Sequence, residues 1–189
     1  MRRRAIVGLM AVVTTSALVV GMSAGIGGAS VSEQKKAPAC AGKTKKKAIK
    51  DIKLAYTHFL DGTKYPDAVA DKEPFIQFMS GSDVSPAFKA QFEASSAANA
   101  AAAATTSVKV SKVKCTGKNS ADVDFDLVLN GQVTPDLAPP GDAVLSDGVW
   151  KVSGQTLCNT QALGSPDVLE SGPCYEILLE GEPADLTAG

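Results

Sequence analysis

Residues 141–158, GDAVLSDGVWKVSGQTLC, read as a β-hairpin around which the rest of the chain can be placed. Ala143-Val144-Leu145 lead into Ser146-Asp147-Gly148, and Val149-Trp150-Lys151-Val152 lead out. Asp-Gly is a strong hairpin signal because a type I′ turn needs φ > 0 at both central residues. The second arm carries the single tryptophan and is read as running on to Cys158.

Upstream lies the cleanest alternation in the chain. Ala121, Val123, Phe125, Leu127 and Leu129 share one face, and Asp122, Asp124 and Asp126 share the other. An earlier strand holds Val108, Val110, Val113 and Cys115, with a phase slip near Ser111-Lys112. A one-residue slip is what a β-bulge produces, and a bulge bends a sheet. Asn130-Gly131 can turn into a short Gln132-Val133-Thr134 strand, and a loop with Pro135, Pro139 and Pro140 leads to the hairpin. Three carboxylates on one strand repel unless cations sit opposite. Lys109, Lys112 and Lys114 on one side and Lys151 on the other predict an antiparallel order with the Asp strand between. A calcium site at the three aspartates is the competing idea, but alternate residues of a strand lie about 7 Å apart.

Helical patterns come before the strands. Ile49, Ile52, Tyr56, Phe59 and Leu60 recur at helical spacing from Lys43 on, and Asp61-Gly62 supplies a stop with Gly in a left-handed C′ conformation. Tyr65-Pro66-Asp67 starts a short helix to about Ala70, and Glu73 to Met79 add another turn. Ser85-Pro86 gives an N-cap followed by Pro at N1, opening a helix to about Ala104 with Phe88 and Phe92 facing the core. Helices first and a bent antiparallel sheet after them make an α+β domain, with the N-terminal helices packed on the curved sheet in the manner of an NTF2-like cone.

The ends are read from composition. Arg2-Arg3-Arg4, the apolar run from Ala5 to about Val20 and the small residues that follow are the layout of a secretory signal peptide over residues 1–30. The run is short for a membrane span. Residues 31–42 form a polar leader, 43–163 the domain, and 164–189 an irregular return to Cys174 followed by an acidic tail. Loss of the three arginines takes the formal charge from −1 to −4. A mildly acidic chain is a poor non-specific binder of nucleic acid. Four cysteines in an exported chain imply two disulfides with three possible pairings, and no Cys-x-x-Cys favours a metal.

In order along the chain, Phe59-Leu60-Asp61-Gly62, the Val108-to-Val113 strand, Ala121-Asp122-Val123 and Gly148-Val149-Trp150-Lys151-Val152-Ser153 resemble the secreted low-molecular-weight antigens of mycobacteria and related actinobacteria. The resemblance covers roughly Lys43 to Leu163. It implies an NTF2-like domain that is exported, extracellular or cell-wall associated, antigenic, and without an established activity.

The inward positions offer little chemistry. The alternating strand presents no titratable group to the cone, and the hairpin face is read as Trp150, Val152, Gly154 and Thr156. Tyr56 is read as a core tyrosine, His58 as a solvated side chain, and Ser153 has no partners at triad spacing. No enzyme, cofactor or metal is expected. A small apolar ligand held by Tyr56, Phe59, Phe125, Trp150 and Thr156 is one reading. The other is a protein-interaction or structural domain with a filled cone, as a monomer or weak homodimer. With the Asp strand between them, Cys115 and Cys158 would sit about 9–10 Å apart by strand spacing. The expected bridges are therefore Cys40–Cys115 and Cys158–Cys174.

Overall fold

A computed structural model of the protein describes residues 36–181. The expected signal peptide, the first residues of the leader and the end of the acidic tail lie outside the described residues. Helix α1 (Lys45–Leu60) buries Ala48, Ile52, Ala55, Tyr56, Phe59 and Leu60 and leaves most of its lysines in solvent. That three-and-four spacing is one stripe of a helix, and it packs against the first and last strands of the sheet. The helix stops at Asp61, whose buried carboxylate accepts from Thr63 Oγ1 and, at 3.3 Å, from the Lys64 amide. Burial pushes that carboxyl upward, but the Thr63 and Lys64 donors outweigh it and hold the group below its ordinary range. Gly62 does not take the expected left-handed conformation, since it is not among the positive-φ glycines. Its reason is space: a Cβ there would run into the Ala103 carbonyl, and the Gly62 amide donates to Thr106 O at 3.0 Å.

Between α1 and the next long helix the chain makes a π-helical turn (Ala68–Lys72) capped by the Asp67 carboxylate, then a tight turn at Glu73–Phe75. The expected extra turn to Met79 ends early. Ile76 instead lies parallel to the sheet's last strand, and Gln77 N donates to Val152 O at 2.9 Å, which covers that edge. The Ser85 hydroxyl accepts from Phe88 N and opens α2 (Pro86–Ala98). Asn99 interrupts the alanine run, and α3 (Ala100–Ala103) follows.

The sheet is antiparallel. Strands β1 (Thr106–Cys115), β2 (Ser120–Leu129), β4 (Gly141–Ser146) and β5 (Val149–Val152) follow in that order, and β3 (Gln132–Thr134) pairs the end of β2. The register of β1 on β2 shifts between Val110 and Lys112, so Ser111 is the bulged residue, and its hydroxyl donates to Asp124 O at 2.9 Å. Asn130-Gly131 and Asp147-Gly148 both have φ > 0 at each central position, the type I′ geometry. The inner face of β2 is buried through Ala121, Val123, Phe125 and Leu127.

On the outer face, Lys109, Lys112 and Lys114 stand opposite Asp126, Asp124 and Asp122. The last two pairs approach at 3.7 and 3.6 Å, exposed contacts of small individual worth. Lys151 does not join them. β4 separates it from β2 and places it opposite Val144. Its side chain is buried instead, and its ammonium donates to Ser80 O at 2.6 Å and to Asp83 Oδ1 at 2.8 Å.

One outer-face pair is unfavourable: Asp142 of β4 faces Asp122 of β2. Burial first, and the Asp122 charge second, push the Asp142 carboxyl up. A carboxyl with a raised folded value stabilises the fold when protonated, and that contribution is lost as pH rises through the folded value. Asp142→Asn is therefore expected to raise Tm at pH 7 and to give no gain near pH 3, below the ordinary aspartate value of about 3.9. An equal gain at both pH values would mean that packing, not charge, is responsible.

The second arm of the hairpin ends at Val152, not at Cys158. Ser153 accepts from Thr156 N at 3.1 Å and caps helix α4 (Gly154–Ala162), so Gly154 and Thr156 are helical rather than strand positions. A serine three residues before a hydrogen-bonding amide redirects the chain at once. The return to Cys174 is also more ordered than composition suggested. A short turn at Pro166–Leu169 leads to α5 (Pro173–Glu180), which buries Cys174 and Ile177.

Candidate functional site

The five residues expected to line a pocket are all in the core. Tyr56, Trp150, Thr156, Phe59 and Phe125 are between 0% and 6% exposed. The rings of Tyr56 and Phe125 pack at 5.2 Å. Tyr56 Oη donates to Asp142 O at 3.0 Å, and Thr156 Oγ1 accepts from Asp142 N at 2.7 Å and meets Ser153 Oγ at 2.9 Å. Gly141 makes this closeness possible, because a Cβ there would collide with the Tyr56 hydroxyl and the Thr156 side chain. Burial pushes the Tyr56 phenol far upward, so it stays protonated and donating. Trp150 Nε1 donates to Pro38 O at 2.9 Å. The polar atoms of Tyr56, Thr156, Ser153 and Trp150 thus hold the strand–helix junction and the leader in place.

An open space lies instead at the end of the sheet where β2 finishes. It is a cleft of about 420 Å³ whose floor is Phe59, Leu60, Leu127 and Leu129. Phe92, Ala100 and Ala103 from α2 and α3 form one wall, and Leu157 and Gln161 of α4 form another. Of the five expected residues only Phe59 also lines this cleft. The alanine run explains the space, since small side chains facing Leu127 and Leu129 cannot fill it. Close approach of Gly62 to Ala103 ties that wall to the end of α1.

Sequence reasoning missed Lys72, which lines the cleft although it is 9% exposed. Burial pushes its ammonium downward, opposed by the charges of Asp71 and then Asp61. Nothing in the spacing around Lys72 marks it as different from the exposed lysines of α1. His58, expected in solvent, is half-buried in a stack between Tyr65 at 3.7 Å and Phe75 at 4.0 Å, with Nδ1 at 3.0 Å from Asp71 O. Those two aromatics lie beyond α1 in sequence, so only the folded chain brings them to it.

Two disulfides close the domain: Cys40–Cys115, with Cα atoms 5.7 Å apart, and Cys158–Cys174, at 5.3 Å. Cys158 sits on α4, so strand spacing has no bearing on its choice of partner. Among the described residues no cluster of three or more metal-ligating side chains occurs. No described helix is long and apolar enough to cross a membrane.

The profile of the low molecular weight antigen MTB12 family, C-terminal domain, matches residues 66–167. The chain belongs to that family. No curated protein and no solved structure gives a match. The MTB12-family segment contains the whole sheet, α2, α4, Lys72 and, from the cleft floor, Leu127 and Leu129. It also contains Cys115 and Cys158, while their partners Cys40 and Cys174 lie outside it. Each bridge therefore sews a flank onto the family domain. Membership makes the chain a non-catalytic antigen domain that acts outside the cell, in keeping with its disulfides.

Proposed function

We propose that this MTB12-family domain is an NTF2-like cone that carries a small apolar ligand in the cleft at the end of β2. The cone reading rests on α1 lying against an antiparallel sheet bent at the Ser111 bulge. The observation that carries the ligand reading is the cleft itself, about 420 Å³ and walled by Phe59, Phe92, Leu127, Leu129 and Leu157. Ligand pockets run from roughly 300 to 1,000 Å³ with mostly apolar linings. The site is displaced from the one read off the sequence, because Tyr56, Phe125, Trp150 and Thr156 pack against one another.

That packing favours a second reading, an interaction or structural domain without a ligand. Native mass spectrometry of the oxidised protein purified from its own culture medium separates the two. The ligand reading expects an added mass that disappears on unfolding and is absent from Ala103→Trp, in which an indole fills the cleft. Bare wild-type protein throughout would sink it in favour of the filled domain, and the same spectra report the oligomeric state.

A further inference from the structure

Among the described residues the cleft holds one charge. Lys72, at the end of the Ala68–Lys72 turn, is the one ionisable residue of the described lining, which includes no acid. Lys64, Lys89 and Lys151 each reach a carboxylate, at 3.1, 2.6 and 2.8 Å. The Lys72 ammonium has no hydrogen bond and no ion pair among the described residues, although the residue is 9% exposed. Asp71 and Asp61 attract it from a distance, and Asp61 is already held by Thr63 and Lys64. The stem of Lys72 is buried, while its Nζ is not among the buried polar atoms without a partner and so keeps contact with solvent at the cleft, where an anionic head group can replace water.

We propose that the cleft takes a single-chain anionic amphiphile, a fatty carboxylate, with its head on Lys72 Nζ and its chain along Phe59, Phe92, Leu127 and Leu129. The inference rests on the ligand reading above and adds the chemical class. Charge number favours a carboxylate: one lysine neutralises one negative charge, whereas a phosphate monoester carries nearly two at neutral pH. Volume favours one chain, since about 420 Å³ is near the lower end of the range for ligand pockets. Against the apolar walls of the cleft the ammonium–carboxylate contact is a charge-assisted hydrogen bond, stronger than a neutral one.

Calorimetric titration of the full, oxidised, delipidated chain with dodecanoate and with 1-dodecanol, both below their aggregation limits, tests the head group. The wild type is expected to bind dodecanoate roughly tenfold or more tightly than the alcohol. Lys72→Met should bring dodecanoate to the level of the alcohol while leaving the alcohol unchanged, and Lys72→Arg should keep the preference. Ala103→Trp should abolish both. Equal affinities in the wild type, or a preference retained in Lys72→Met, would overturn the head-group assignment and leave the cleft as an apolar site; Lys72 would then be reaching out to water. Failure of the wild type to bind either probe would overturn the cleft as a ligand site along with it.

Discussion

Cys40→Ala combined with Cys115→Ala is expected to lower stability by about 4.5 kcal/mol, against about 3 kcal/mol for Cys158→Ala with Cys174→Ala, on the loop-entropy account of disulfides. The difference follows from the sequence separations, 75 residues for the first bridge and 16 for the second. Domains of this size are stable by only about 5–15 kcal/mol, so the first double variant should lose a large share of its stability. Structure adds to the entropic term. Cys40 anchors a leader whose Ala37 amide donates to Gly148 O at 2.6 Å and whose Cys40 amide donates to Lys118 O at 2.8 Å. Denaturant melts of the two double variants beside wild type decide the matter. A larger loss from the short-loop bridge would show that native packing around α4 and α5, not chain entropy, governs the ranking.

Trp150→Ala should cost about 3–5 kcal/mol, the range for truncating a buried aromatic. Trp150 is 1% exposed in the middle of the core, and its indole N–H also fastens the leader through Pro38 O. Trp150→Phe separates the two contributions. It keeps a ring in the core and removes the donor, so its loss should include about 1 kcal/mol for the hydrogen bond. Trp150 and the Cys40–Cys115 bridge hold the same short stretch of chain. Their effects should therefore not add, with a coupling of about 0.5–3 kcal/mol in a double-variant cycle. Strict additivity would show that the leader is held at two independent points.

The leader also shows how far composition can be trusted. Polar residues without a period describe a segment that makes no helix or strand, and residues 36–39 make none. They do not describe a segment without a place. Backbone hydrogen bonds and one disulfide hold this stretch, and neither leaves a hydrophobic pattern in the sequence. The same limit explains α5. Among the described side chains of that helix Cys174 and Ile177 are the buried ones, too few for its amphipathic face to stand out against the acidic residues around them.

By itself the sequence determined the features with local causes. Asp147-Gly148 and Asn130-Gly131 turn because those residue pairs tolerate positive φ where others do not. The alternation of β2 sets which face is buried, and the phase slip at Ser111 marks the bulge, because side-chain direction reverses at every residue of a strand. Opposed lysines and aspartates on β1 and β2 follow from that register. Only the tertiary structure decided the rest. Lys151 and Lys72 read as surface lysines, yet one is buried among Ser80, Asp83 and Asp147 and the other closes an apolar cleft. Ser153 ends the hairpin because its hydroxyl meets an amide three residues on, and Gly62 is required by a carbonyl from a helix about forty residues away in sequence. The cleft itself arises where α1, α2, α3, α4 and the end of β2 fail to fill the space between them. No single stretch encodes it, because an unfilled volume is a property of elements that meet only after the chain has folded.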